Sequence, residues 1–168
     1  GKLDYILNTR WVLTDKNDPL RTKENNLGEK PNARMVVNSG DPGRSDERGN
    51  VRVDAPCATG QSEQITCQIA ASRPHWKFGT KDVSGAFLKG EYDDRELYIR
   101  PPKLGPQLGD FGGQRLAKVR KGVFGLPTAP RLWYFKVIAL GKKFGLEQNR
   151  SDPALLVMHG PKAKKRSP

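Results

Sequence analysis

Asp82 is the residue of this 168-residue chain whose setting best suits chemistry. It lies in the run Lys81-Asp82-Val83-Ser84-Gly85-Ala86-Phe87-Leu88, after an alternation of Trp76, Phe78 and Thr80 that predicts a strand ending on the acid. The short run beyond it is bounded by Gly90 and predicts a single helical turn. An acid placed between a strand and a tight turn projects its carboxylate into a crevice at a sheet edge. A hard cation such as Mg²⁺ takes a few protein oxygens at near-octahedral geometry and keeps waters and substrate phosphates as its other ligands. Asp82 and a neighbouring backbone carbonyl supply part of such a site, and two-metal phosphoryl transfer needs further carboxylates. An Asp after a strand also serves as a cap or turn residue, and spacing alone leaves both roles open.

The other candidates are weaker. Tyr92-Asp93-Asp94 lies close after Asp82 and has no flanking apolar strand, which predicts a solvated surface turn. His75 and His159 have no partner at ligand spacing. Cys57 and Cys67 form no C-x-x-C and stand near no His pair, so they predict two reduced thiols of an intracellular protein rather than a zinc site.

Several elements must position these groups. Residues 10–14 and 33–37 predict two strands joined by a charged loop, forming a basic, exposed hairpin. Residues 39–50 are rich in Gly, Pro, Ser and charge and predict loop or disorder. Ser62 is a candidate cap for a helix through Ile65, Ile69 and Ala70. Residues 97–100 and 116–119 predict short strands, and residues 154–158 form a last apolar run. The clearest helix spans residues 129–144, with Thr128 as N-cap, Pro130 in the first turn and Gly145 just past the end. Its Trp133, Val137, Leu140 and Phe144 recur on one face, which predicts core packing. Trp11 and Trp76 likewise predict packing anchors more than base-stacking platforms.

Composition bounds the rest. With 35% hydrophobic residues, 18 Gly and 13 Pro, the chain supports one modest core with long loops. A net charge of +12 attracts polyanions, phosphate backbones first. A solvated lysine-rich surface is the plainer reading of the same charge. No run approaches the ~20 apolar residues that span a bilayer, so a membrane is not among the expected partners. The Lys162-Ala163-Lys164-Lys165-Arg166 cluster is a phosphate- or import-directed patch or a solvated terminus.

Four blocks in order resemble the reverse transcriptase of copia-type retrotransposons. They are Arg10-Trp11-Val12-Leu13-Thr14 with Lys16; Asn32-Ala33-Arg34-Met35-Val36-Val37; Trp76 through Gly90 around Asp82; and Val123-Phe124-Gly125-Leu126-Pro127-Thr128-Ala129-Pro130-Arg131-Leu132-Trp133-Tyr134. Leu97-Tyr98-Ile99-Arg100-Pro101-Pro102 and Asp152-Pro153-Ala154-Leu155 echo two further family elements. The similarity covers residues 10 to 158.

The resemblance implies an α+β fold, a right-hand polymerase with fingers over about residues 10–75, a partial palm over about 76–158 and a basic tail at 159–168. It implies Mg²⁺-dependent addition of deoxynucleoside triphosphates to a primer on an RNA or DNA template, within a Pol polyprotein. Asp82 would be the first metal-binding acid and the Val83 carbonyl a second ligand. Phe87, with Ala86 beside it, would lie under the incoming sugar as the steric gate that rejects a 2′-hydroxyl. Arg34 and Lys16 would reach the triphosphate, and Thr128 would lie beside the nucleotide. Three departures stand against full activity. Pro127-Thr128 replaces a usual Lys-Gln pair, Gly85 replaces a larger residue and is expected to loosen the turn, and no Tyr-x-Asp-Asp hairpin occurs. The expectation is therefore a chain cut before that hairpin and inactive by itself. The alternative is a non-catalytic, basic nucleic-acid-binding remnant.

Overall fold

The computed structural model describes residues 6–38, 52–102 and 116–159. Strand β1 (Ile6–Asp15) pairs antiparallel with β2 (Pro31–Val37), in register from Thr9 opposite Val37 to Asp15 opposite Pro31. The predicted hairpin therefore forms, with β1 starting earlier than its apolar run because Ile6, Leu7 and Asn8 pair parallel with β3 (Tyr98–Arg100). Strand β4 (Ala117–Lys118) closes a four-stranded sheet of order β2-β1-β3-β4. The Thr9 hydroxyl donates to the Arg100 carbonyl at 2.6 Å, a side-chain tie between the hairpin and β3. A separate two-stranded sheet joins β5 (Glu147–Gln148) and β6 (Leu156–Val157). The result is a mixed α/β architecture.

The core is small, as the composition predicts. Leu7, Val37, Leu97, Ile99, Val119 and Leu126 are buried together with Ala129 at the start of α2 (Ala129–Lys143). Helix α1 (Gly60–Ala71) has no buried residue; Ile65 and Ile69 are exposed. It begins one turn earlier than expected, because the Thr59 hydroxyl, not Ser62, is the cap and accepts from the Ser62 amide at 3.2 Å. Asp152 reinforces that start, accepting from the Thr59 amide at 2.9 Å across a separation of 93 residues. Hydrogen bonds from Ser62 first, then the Thr59 amide, outweigh burial and lower the Asp152 carboxyl to about 2.

Two packing expectations fail. The strand predicted over Trp76 to Thr80 does not form; the segment has no regular secondary structure and is exposed. Alternation supplies two faces, but a strand also needs a neighbour's backbone, and among the described residues none pairs with it. Trp76 instead lies under the Arg73 guanidinium, 5.2 Å from its ring centre. On α2, the stripe predicted as core turns outward at its end, with Leu140 40% and Phe144 73% exposed. The buried line is Ala129, Ile138 and Gly141. A Cβ on Gly141 would lie 2.6 Å from Leu156 Cδ1, the movable tip of a side chain on β6. Gly145 does end the helix as expected, at φ +77°.

The basic cluster at 162–166 and the loop at 39–50 lie outside the described residues. Among the described residues no helix is long and apolar enough to cross a membrane. Both cysteines are free and exposed.

Candidate functional site

The turn after Asp82 is built by Gly85 and a 3₁₀ turn over Ala86–Lys89. Gly85 has φ +64°, a left-handed conformation that favours glycine, so this residue makes the turn rather than loosening it. The Ala86 amide donates to the Val83 carbonyl at 3.1 Å, and the Leu88 amide to the Gly85 carbonyl at 2.9 Å. Asp82 and Val83 are both exposed, and among the described residues Asp82 has no hydrogen-bond or ion-pair partner. Because the strand before it is absent, its carboxylate is carried by an irregular segment rather than a sheet edge.

The turn is held from behind by glycines. A Cβ on Gly90 would lie 3.0 Å from the Leu132 and Trp133 backbone, and one on Gly122 would lie 2.8 Å from the Phe87 carbonyl. The Glu91 amide donates to the Leu132 carbonyl at 3.0 Å, and Lys136 pairs with Glu91 at 3.2 Å. These contacts clamp Ala86 and Phe87, both half-buried, against the first turns of α2 and the 122–126 segment.

From the other side comes the hairpin. The Val37 amide donates to the Phe124 carbonyl at 2.8 Å. Gly125, at φ +85°, passes so close that a Cβ would meet the Val37 carbonyl at 2.6 Å. This docking places the Arg34 guanidinium 5.7 Å from the centre of the Phe124 ring. Phe124 in turn meets Phe87 edge-on, with centroids 6.3 Å apart and planes at 68°. Arg34, Phe124 and Phe87, from three separate sequence blocks, are thus one contiguous stack beside the Asp82 turn.

Other expected residues lie elsewhere. Lys16 is exposed past the end of β1, its amide bonded to the Lys30 carbonyl at 3.0 Å. Arg34 pairs with Val12, so four further residues at ~3.3 Å each put Lys16 about 13 Å along the hairpin. Thr128 is buried at 6% exposure, its hydroxyl 2.7 Å from Arg95 Nη2 and 3.4 Å from Asp93 Oδ2. It starts α2 without capping it through its side chain. The hydroxyl is committed inside the protein and not offered to a ligand. Arg131, in the same block, is held by Asp54 at 2.7 Å and lies 4.6 Å from the centre of the Phe135 ring.

Asp93 corrects another expectation. Its side chain is 5% exposed and paired with Arg95 at 2.6 Å, so it is not a solvated turn residue. Burial raises its carboxyl, but the Arg95 hydrogen bonds and charge outweigh this and leave it below the usual carboxylate range. His159 also has a partner, Glu147 at 3.7 Å. The roles of Phe124 and Asp152 were missed because each depends on a distant residue, and that of Asp93 because its Arg95 pair is anchored by the distant Thr128. The one local signal was Gly122 and Gly125 bracketing Phe124, a spacing that marks close backbone approach.

No group of three His, Cys, Asp or Glu able to hold a metal exists among the described residues. Asp82 and the Val83 carbonyl offer two oxygens, and that carbonyl already accepts one hydrogen bond. A dication demanding near-octahedral coordination is only partly provided for. These residues do not fit a complete two-metal centre.

Over residues 4–163 the chain matches the family described as reverse transcriptase (RNA-dependent DNA polymerase). It is 29% identical over 105 residues to the retrovirus-related Pol polyprotein from transposon RE2 of Arabidopsis thaliana, covering 62% of this chain and 7% of that protein. The corresponding polyprotein from transposon RE1 of the same plant is 29% identical over 104 residues, again 62% of this chain and 7% of the relative. The chain therefore spans a small part of the length of the curated relatives it matches. No solved structure matches. Its family match runs through all four blocks read from the sequence, and the chain belongs to the reverse transcriptase family.

Proposed function

We propose that this chain forms the fingers and first palm portion of an RNA-directed DNA polymerase of a retrotransposon Pol polyprotein. Residues 10–75 are the fingers and residues 76–158 the partial palm. The reaction it serves is addition of a deoxynucleotide to a primer 3′-hydroxyl on an RNA or DNA template.

The observation that carries this reading is the stack of Arg34, Phe124 and Phe87 beside the Asp82 turn. Arg34 offers a rigid, permanently charged donor fork to the triphosphate. Phe87 and Ala86 form the floor under the sugar, and a 2′-hydroxyl there meets the ring. Asp82 and the Val83 carbonyl would hold part of a Mg²⁺ site, and a cation there would supply positive charge to the phosphates. Lys16, along the hairpin from Arg34, contacts phosphate further from the sugar. Thr128 acts indirectly, fixing the start of α2 through Arg95 and Asp93.

With one of the required acids, the 168-residue chain does not polymerise by itself. Primer extension by purified protein is expected to give no product, and Asp82-dependent synthesis would overturn this. Binding of dCTP is expected to fall about tenfold or more on Arg34→Ala, since a charge-assisted hydrogen bond is lost. Unchanged affinity would remove Arg34 from the site. A second reading, a non-catalytic nucleic-acid-binding remnant, is favoured by the exposed, unpartnered Asp82 and the +12 charge. Salt-sensitive binding of an RNA–DNA hybrid, indifferent to Mg²⁺ and to Asp82→Asn, with no dCTP binding, would select it.

A further inference from the structure

We infer that Phe124 is a positioning residue that fixes the Phe87 ring and the Arg34 guanidinium together, so that sugar selection and triphosphate binding are coupled through one side chain. The inference rests on the nucleotide-site reading above, and gives Phe124, which that reading counts in the stack, a role of its own.

Its basis is geometric. Phe124 presents its ring to the Arg34 cation at 5.7 Å and meets the Phe87 ring edge-on at 6.3 Å. Both distances fall in the attractive range for these contacts. Its own place is over-determined, since its carbonyl accepts from the Val37 amide at 2.8 Å. The next residue, Gly125, touches the Val37 carbonyl at a distance no Cβ tolerates. Two residues before Phe124, a Cβ on Gly122 would lie 2.8 Å from the Phe87 carbonyl. The segment from Gly122 to Gly125 therefore grips the gate turn with one end and the fingers strand with the other. Phe124 is the side chain between them.

A gate works only if its ring cannot swing aside. Phe87 is half-buried, and the edge contact with Phe124 restrains it. The cation over the Phe124 ring ties the guanidinium to the same support. Removing the ring therefore frees both groups at once. Keeping an aromatic ring preserves both.

The test measures equilibrium binding of dCTP and CTP to the full chain in wild type, Phe124→Leu, Phe124→Tyr and Phe87→Ala. Wild type is expected to prefer dCTP. Phe124→Leu is expected to weaken dCTP binding and shrink the dCTP-over-CTP ratio, each roughly two- to tenfold, the size of one aromatic contact. Phe124→Tyr is expected to restore both. A ratio that falls on Phe87→Ala but is unchanged in a folded Phe124→Leu protein overturns this inference and leaves the site reading standing. A wild type that shows no preference, or a preference that Phe87→Ala does not alter, overturns the site reading and this inference with it. Should Phe124→Leu unfold, Phe124→Met supplies the same comparison, and Phe87→Ala with Phe124→Met gives a thermal double-mutant cycle. Additive losses there overturn the contact between the two side chains.

Discussion

Two acids whose carboxyls are held below the usual range lie at points where distant segments meet. Asp152 joins the β5–β6 connection to the start of α1, and Asp93 joins the 91–95 segment to the start of α2 through Arg95 and Thr128. A carboxyl lower in the folded than in the unfolded chain stabilises above its unfolded value, and that contribution disappears as pH falls through the folded value. For Asp152 the window runs from 3.8 down to about 2. Thermal melts between about pH 5 and 2 are expected to show falling stability, with Asp152→Asn starting lower and showing a shallower acid limb. An equally steep acid limb in Asp152→Asn would show that other carboxyls govern it. Thr128→Val is expected to cost about 1–3 kcal/mol, because it strands buried polar partners. Since its hydroxyl faces inward, dCTP affinity of the folded variant should hold. Loss of affinity without loss of stability would return Thr128 to the ligand.

Among the elements, the segment around Gly125 carries the connection between the hairpin and the Ala86–Lys89 turn. Gly125→Ala adds a Cβ at φ +85° and 2.6 Å from a backbone carbonyl, so neither a rotamer change nor a small side-chain shift relieves it. A loss of about 2 kcal/mol or more is expected by denaturant unfolding. The outer face of α2 should behave in the opposite way. Phe144 is 73% exposed, and Phe144→Gln is expected to change stability by no more than about 0.5 kcal/mol. A large loss would mean that the stripe from Trp133 to Phe144 packs after all. The helix itself was legible in the sequence, to within one residue at its end. Which of its faces is buried was not, because the side chains of Leu156 and Leu146, distant or beyond the helix end, cover Gly141 rather than the larger apolar residues.

For the whole molecule, charge dominates what a partner meets. A net +12 on a small-cored chain with many exposed Lys and Arg favours phosphate backbones through counterion release. Binding of an RNA–DNA hybrid is expected to weaken steeply between about 50 and 200 mM salt, with log affinity linear in log salt. A flat salt response would show that the basic surface is not the contact. Cooperative thermal unfolding is also expected, because the four-stranded sheet, the Gly122 to Gly125 segment and α2 share one core.

The sequence by itself determined the family, the hairpin, the glycine-bounded turn after Asp82 and the helix after Thr128. These depend on local spacing and residue type, which the chain carries wherever it folds. Tertiary structure alone decided that Asp82 follows an unpaired, irregular segment rather than a strand, since pairing depends on a neighbour that no local pattern reports. It also drew Thr128 and Asp93 inward, because the Arg95 charge that holds them becomes effective only where the fold excludes water. The link from Arg34 through Phe124 to Phe87 belongs to the same class. It spans three separated blocks and exists only where Gly122 and Gly125 let their backbones touch.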